Sequence, residues 1–431
     1  MIIEKLNSKN FKDKISRIRT DNSHNDPVLE AKVRKIVDDV RLNGDEAVFR
    51  YTRRFDKYSP TRKNILVSSK DISDAEIRLS SSIKSDLRKA AYRIRTYHNN
   101  KKPLKHLYRD NLGNELGWLI IPLERVGIYV PGGKAAYPST VLMTAIAARV
   151  AGVKEIILVT PCPGGRINDE VLYASKIAGV DGVYKVGGAQ AISALAYGTA
   201  SIPKVDKIVG PGNIYVAIAK KLVFGVVDID MIAGPSEVLI ISDGSCSPEW
   251  IAADLLAQAE HDEMAIPICI TTSKTYASDI DKSINKQLLT LSRRKIADKS
   301  VSVNGRIYIV RDLDFAVKVS NYFAPEHLQL CVNNPKRLLE NITNAGAIFL
   351  GSMSTEAFGD YIAGPSHVLP TGGAAKFSSP LSVYDYVKMP SIISVTAGGF
   401  SKLNRSVINL AMSEGLEAHA NSVRVRINNR I

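Results

Sequence analysis

The sequence predicts an α/β protein built from two Rossmann-like parallel-sheet units, with a helical N-terminal region and a small C-terminal helical tail. Three observations carry that expectation. From about residue 118, short β-branched runs alternate four times with helical segments through Gly/Pro-rich loops. A second alternating stretch of similar size follows it. Before both, the first 110 residues place apolar side chains three and four apart between charges, the period of a surface helix.

In order, Val28 to Asn43 and Ile72 to Thr96 read as helices, the first ended by Asn43-Gly44. Lys101 to Gly117 turns polar and turn-rich. Strands are expected at Val126–Val130, Glu155–Thr160, Val183–Val186 and Lys207–Val209, with helices at Ser139–Ala151, Asn168–Ala178, Ala189–Tyr197 and Asn213–Phe224. Strand, loop and helix repeated this way make a parallel sheet wound by crossovers, and such sheets bind ligands at the carboxyl ends of their strands. In the second stretch the strands are Val238–Ser242, Ile266–Thr271, Arg306–Val310 and Ala347–Leu350. Its helices are Trp250–Glu260, Ser273–Ser292, Asp312–Tyr322 and Pro335–Asn341. The tail reads as a helix over Ser406–Met412 with an extended basic end. Domain boundaries follow: 1–117 helical, 118–236 the first α/β unit, 237–385 the second, and 386–431 the C-terminal segment.

Charge narrows the class. The chain carries 57 Lys+Arg against 43 Asp+Glu, a net +14. Residues 1–110 hold 27 basic and 15 acidic side chains, a net +12, which leaves +2 for the rest. The basic residues are interspersed with acids and come with no nucleic-acid-binding pattern, so a solvated helical surface is expected and nucleic acid is not. The four cysteines, Cys162, Cys246, Cys269 and Cys331, form no CxxC pair, as in a reduced compartment. The opening MIIEKLNSKN lacks a signal-peptide layout and no stretch reaches ~20 uncharged apolar residues, so a soluble cytoplasmic chain is expected.

Four loops, Pro131–Lys134, Pro161–Gly165, Gly187–Gln190 and Gly210–Asn213, put small residues before helix N-termini, which favour anions such as a pyrophosphate. No GxGxxG accompanies them. In the second half, Gln258 and His261 stand three apart, at helical spacing, near a helix end. Glu326-His327 pairs a carboxylate with an imidazole, two groups able to take protons near neutral pH. Gly359–His367 delivers Asp360 and His367 on a small-residue loop, and Glu414 with His419 adds another acid and imidazole. These donors suit zinc without cysteine. Residue chemistry alone reaches a metal or acid–base cluster in an α/β protein.

Five stretches in order make the sequence resemble the histidinol dehydrogenase family: Ile232–Glu237, Asp254–Asp262, Tyr322–Leu328, Gly359–Pro370 and Glu414–Val423. The resemblance is strongest from about residue 118 to 426. It implies oxidation of L-histidinol through an aldehyde to L-histidine, the last two steps of histidine biosynthesis, with two NAD+. It implies one zinc per subunit on Gln258, His261, Asp360 and His419, and a homodimer in which His419 and Glu414 act across the interface. It implies Glu326 and His327 as the acid–base pair. Ser236, Gln258, His261, His327, Asp360, His367, Glu414 and His419 would contact substrate, and Tyr129, Gln190 and Asn213 would line the NAD site. Ser354-Thr355 stands where the family pattern has a Pro before Glu356, and Ser366 where it has an Asn. Relatives sharing this framework oxidise other small alcohols, including sulfonated diols; the Glu414 carboxylate favours an ammonium-bearing substrate over a sulfonate.

Overall fold

The computed structural model of the protein describes residues 1–20, 26–132, 137–232 and 234–428. Gly133 and Lys134 of the first small-residue loop, and Ala233 of the Ile232–Glu237 motif, lie outside them. The chain opens with β1 (Ile2–Lys5), α1 (Phe11–Thr20), α2 (Pro27–Asn43), α3 (Asp45–Asp56), α4 (Ser69–Arg78) and α5 (Ser81–Asn100). The short strands β2 (His106–Arg109), β3 (Glu115–Trp118) and β4 (Ile121–Pro122) follow.

The first alternating stretch runs β5 (Arg125–Tyr129), α6 (Pro138–Ala151), β6 (Glu155–Thr160), α7 (Asp169–Ala178), β7 (Gly182–Lys185) and α8 (Gly188–Tyr197). It ends with β8 (Lys207–Val209), α9 (Ile214–Val223) and β9 (Asp228–Ile229). The second runs β10 (Glu237–Ser242), α10 (Pro248–Ala259), β11 (Ile266–Thr271), α11 (Lys274–Leu288), α12 (Arg294–Val303) and β12 (Arg306–Ile309). Next come α13 (Leu313–Phe323), β13 (His327–Cys331), α14 (Pro335–Leu339), β14 (Ala347–Leu350) and α15 (Glu356–Tyr361). The chain closes with β15 (Val387–Lys388), β16 (Ser391–Ser394), α16 (Ala397–Ser413) and α17 (Glu417–Asn428).

Both expected parallel sheets form. The first has the order β7-β6-β5-β8-β9 and the second β1-β12-β11-β10-β13-β14. Each strand pair in them is parallel. Crossover helices cover both faces, which is why the strands read as unbroken apolar runs. In β10 the alternation divides two cores: Leu239 and Ile241 pack with Phe315 and Val319 on one face, Val238 and Ile240 with Leu255 and Ile251 on the other. One core of the first sheet is closed by Val33, Ile36, Val37 and Val40 of α2. The helical N-terminal region thus carries a wall of that sheet.

Three local expectations change. The segment 72–96 spans two helices, not one: α4 ends at Arg78 with Leu79 extended after it, and Ser80 caps α5 by accepting from the Ile83 N–H at 3.3 Å. Residues Ile2–Lys5 form an edge strand of the second sheet, paired with β12, so sequence position 1 does not begin in a helix. The basic end after Met412 is the helix α17, not an extended tail.

Contacts divide the chain into two compact units, Met1–Lys101 with Leu123–Tyr386, and Lys102–Pro122 with Val387–Ile431. The larger contains both parallel sheets. The smaller contains an antiparallel sheet β16-β3-β2, the β15-β4 pair, and the packed helices α16 and α17.

One buried group in the larger unit has no role in the site. His98, on α5, is fully buried with neither ring nitrogen hydrogen-bonded. Burial, helped by Lys101, pushes its pKa down to about 4. Above about pH 6.5 the ring is neutral in both the folded and the unfolded chain. Between 6.5 and about 4 the unfolded chain binds a proton that the folded one refuses, so stability falls across that window, by about 3 kcal/mol in all. Denaturant titrations of the protein and of His98→Phe between pH 7 and 4 should therefore diverge. Parallel pH profiles would remove His98 as the cause.

Candidate active site

Helix α10 lies on the second sheet, where Asp254 accepts from Gln329 Nε2 of β13 at 2.7 Å. One turn on stands Gln258, and His261 follows directly past the helix end, its N–H bonded to the Gln258 carbonyl at 3.2 Å. Helix α13 ends at Ala324, held at φ +51°, which turns the chain through Pro325 into Glu326 and the first residue of β13, His327. A non-glycine residue in the left-handed region is uncommon, and here it sets the approach of the acid–base pair.

One residue of β10 orients both members of that pair. The Glu237 N–H donates to Glu326 Oε2 at 2.8 Å, and the Glu237 carbonyl faces His327 Nδ1 at 3.1 Å. A ring nitrogen facing a carbonyl carries the proton, so in neutral His327 the lone pair is on Nε2. Nε2 is buried without a hydrogen-bond partner, and the nearest carboxylate oxygen is Asp360 Oδ1 at 3.8 Å. The ring helps to line a cavity of 640 Å³ together with Asp360, His367, Phe349 and Phe358. Burial raises Glu326 to about 7, with the like charges of Glu237 and Asp360 adding to it and His327 opposing. Burial also disfavours charge on His327, but the carboxylates of Glu356, Glu326 and Asp360 outweigh it and raise the ring. Both groups are therefore pushed toward their protonated forms, with the ring the stronger base of the two.

His261, Glu356 and Asp360 bring one ligand atom each within 4.8 Å of the others. Glu356 was not among the residues expected from sequence. It opens α15 four residues before Asp360, so the i, i+4 spacing that puts both carboxylates on one helix face was legible. Gln258 adjoins it: the side-chain amide lies 2.8 and 3.0 Å from the two Glu356 oxygens. With the amide nitrogen on that side Gln258 donates to both oxygens. With the carbonyl oxygen there, acceptors face each other, and a proton on Glu356 or a cation would have to join them. These nitrogen and carboxylate oxygen atoms could hold a metal ion.

His367 joins the two sheets. Its Nδ1 faces the Asp360 carbonyl at 3.1 Å and its Nε2 the Thr140 hydroxyl, in the first turn of α6, at 2.9 Å. Burial lowers its pKa, which keeps the ring neutral. Both its nitrogens are thus engaged within the chain. Ser366, one of the departures from the family pattern, is buried and accepts from the Val368 N–H at 3.1 Å. Ser236 precedes β10, its carbonyl accepting from Ile266 at 2.9 Å.

The residues expected to line a cofactor site sit at the carboxyl end of β5 and past those of β7 and β8. The buried Tyr129 hydroxyl accepts from the Gly188 N–H at 3.2 Å, and burial pushes it up to about 12. Gln190 is buried with Oε1 unpartnered, and a Cβ on Gly188 would stand 2.8 Å from that oxygen. Asn213 caps α9, accepting from Tyr215 and Val216 at 3.1 and 3.2 Å. Glu414 and His419 lie in the smaller unit, Glu414 at the end of α16 and His419 on α17, both exposed.

The second sheet presents its site at the amino ends of its strands, since His327 opens β13. The carboxyl-end rule used for the first sheet does not extend to it. An anion-friendly edge on one sheet and a buried acid–base pair on the other suit an oxidoreductase, which joins a dinucleotide to proton transfer. The comparisons agree. The histidinol dehydrogenase family model matches residues 19–427. The chain is 53% identical over 399 residues to histidinol dehydrogenase of Syntrophotalea carbinolica, covering 93% of each, and 50% identical to that of Aquifex aeolicus, covering 93% of this chain and 92% of the other. The crystal structure of histidinol dehydrogenase from Elizabethkingia anophelis superposes with a TM-score of 0.94 at 36% identity, over 99% of this chain and 98% of that one. The chain belongs to the histidinol dehydrogenase family.

The carboxylate cluster generates a test. A divalent cation at 100 times its dissociation constant should raise the free energy of unfolding by about 2.7 kcal/mol, read as a higher melting temperature. Asp360→Asn should blunt that rise. A melting temperature indifferent to metal and chelator in the wild-type protein would remove the cation from the cluster.

Proposed function

We propose that this chain oxidises L-histidinol through L-histidinaldehyde to L-histidine with two NAD+, as a zinc-dependent homodimer with shared sites, acting in the cytoplasm. The observation that carries the reading is the Glu326–His327 pair, held by one residue beside a nitrogen-and-oxygen donor set. Gln258, His261 and Asp360 would hold zinc with His419 of a second subunit. Zinc bound there supplies a fixed positive point that orients the substrate's imidazole and amine, and NAD+ supplies the hydride acceptor.

The chain's own residues do the proton handling. His327 Nε2 accepts the proton of the alcohol as hydride leaves carbon. Glu326, poised by burial near neutral pH, accepts a proton from the water that hydrates the aldehyde. His327 then serves again as base for the hydrate. Glu237 holds both in place through its peptide. Ser236, His367 and Glu414 would complete the substrate contacts, the last as a carboxylate for the ammonium group. Tyr129, Gln190 and Asn213 would line the NAD site. The orphaned Gln190 oxygen and the glycine beside it support a polar ligand at close approach.

The dimer is supported by the smaller unit's surface. Leu403, Val407 and Leu410 of α16, at spacings of four and three, are all exposed, as are Ile393 and Val395 before it.

Metal analysis paired with a histidinol assay tests the whole reading. Zinc-replete protein that reduces no NAD+ with L-histidinol would sink it. His261→Asn should lose zinc and turnover together, and Glu326→Gln should keep zinc while slowing mainly the aldehyde-to-acid half. Equal loss of both halves would take the hydration role from Glu326. Mixing His419→Asn with His327→Asn subunits should restore one intact site in the heterodimer. No recovery after confirmed exchange would count against sharing.

A further inference from the structure

The carboxyl edge of the first sheet holds a carboxylate that neither the family motifs nor the acid–base chemistry uses. Asp56 is the last residue of α3, and Lys57, at φ +54°, ends the helix there. Asp56 Oδ2 accepts from the Cys162 N–H at 3.3 Å, in the loop that leaves β6. Among the described residues this is its one hydrogen bond, and no ion pair holds it. Burial raises its pKa, and its charge in turn helps raise the Tyr129 hydroxyl and the Cys162 thiol. Asp56 therefore stands half-buried beside Tyr129, one oxygen uncommitted, where the cofactor edge begins.

Topology gives the position its meaning. In the first sheet β5 is central, with β6 on one side and β8 on the other, so the crevice opens at the β5/β8 switch. A dinucleotide lying across such a crevice places its adenosine ribose over the carboxyl end of the strand next to the first one, where an acidic residue receives the hydroxyls. That strand here is β6. Its own end, Thr160-Pro161-Cys162-Pro163, contains no acid. The acid at that point comes from α3 instead. Tyr58 closes the far side of the loop: its hydroxyl donates to the Asn64 carbonyl at 3.0 Å, and a Cβ on Gly165 would stand 2.7 Å from its ring. Lys185, at the end of β7, lies 5.9 Å over that ring. It is a cation that a phosphate could use.

Resting on the NAD+ reading above, we propose that Asp56 is the residue that selects the cofactor. Its free oxygen accepts from the adenosine ribose hydroxyls of NAD+, and its charge repels the 2′-phosphate of NADP+. Hydrogen bonds from hydroxyls to a carboxylate are strengthened by its charge, and a phosphate so close to an uncompensated carboxylate is opposed by like-charge repulsion.

Dissociation constants for NAD+, NADP+ and ADP-ribose, measured by calorimetry on the zinc-loaded protein, Asp56→Ala and Asp56→Asn, test this. In Asp56→Ala, NAD+ and ADP-ribose should weaken by about tenfold to hundredfold, while NADP+ binds as well as before or better, through Lys185. Asp56→Asn should relax the NAD+/NADP+ ratio with a smaller loss of NAD+ affinity. The ratio within one variant does not depend on the fraction folded, so partial unfolding cannot imitate the result. An unchanged ratio in both variants, with wild-type protein binding NAD+, would overturn the role of Asp56. Wild-type protein that binds neither dinucleotide would instead overturn the NAD+ reading itself.

Discussion

Three carboxylates, Glu326, Glu356 and Asp360, crowd around His327, and the rest of the site follows from that crowding. Burial and like charge push Glu326 and Glu356 upward, His327 holds Asp360 down, and together the three hold His327 toward its charged form. Left so, the imidazole would be a poor base, because its proton would not leave. A divalent cation at the proposed ligands His261, Asp360 and Gln258 would change the balance in the required direction. It would offset the negative charge and release His327 toward neutrality, with the lone pair on Nε2. On this account the proposed zinc sets the state of a base it does not itself hold.

That balance would be useful only if the proposed cofactor reached the same point, and the topology favours it. The amino edge of the second sheet carries the acid–base pair, and the carboxyl edge of the first carries the small-residue loops. His367 ties the two, bonded to Thr140 at the start of α6 and to the carbonyl of Asp360. Tyr386 adds a second tie, its hydroxyl donating to the Thr144 carbonyl at 3.0 Å. One helix, α6, thus fixes where the loops end and where the Asp360 segment begins. It is buried on nearly every side, which explains the absence of a polar stripe in its sequence.

Much of this was legible in the residues, and the exceptions have physical reasons. The strands Glu155–Thr160, Lys207–Val209, Ile266–Thr271 and Ala347–Leu350 agree to the residue, because short, unbroken apolar runs bounded by polar or turn residues have a strong and local signature. The central strand β13, His327–Cys331, went unread. It begins with His327 and contains Gln329, and only the tertiary bond of Gln329 to Asp254 makes such a residue tolerable inside a sheet. The strand β1 was missed for a related cause: an edge strand is completed by a partner 304 residues away, Ile2 by Arg306, and no local pattern records that. Of the site, Glu326-His327 and the histidines stood out as rare types in dense motifs. Glu356 did not, since one more Glu among 43 acids is conspicuous only once the helix face is drawn.

The loops that would receive a dinucleotide show how a small-residue segment is kept rigid without a motif. Gly210 is bound at both ends of its peptide by a buried ion pair: Asp230 Oδ2 accepts from the Gly210 N–H at 2.7 Å, and Lys220 Nζ donates to the Gly210 carbonyl at 3.1 Å. Lys220 and Asp230 also pair with each other, and both side chains are almost wholly shielded from water. Such a pair adds little net stability, because desolvation consumes most of the attraction. Its value lies in direction. At Gly210 a Cβ would stand 2.1 Å from the Tyr129 carbonyl oxygen, so only glycine fits, and a glycine left alone is free to move. The ion pair removes that freedom and fixes the turn against β5. The segment is then preorganised before any ligand arrives, and the ordering cost falls on folding in place of binding.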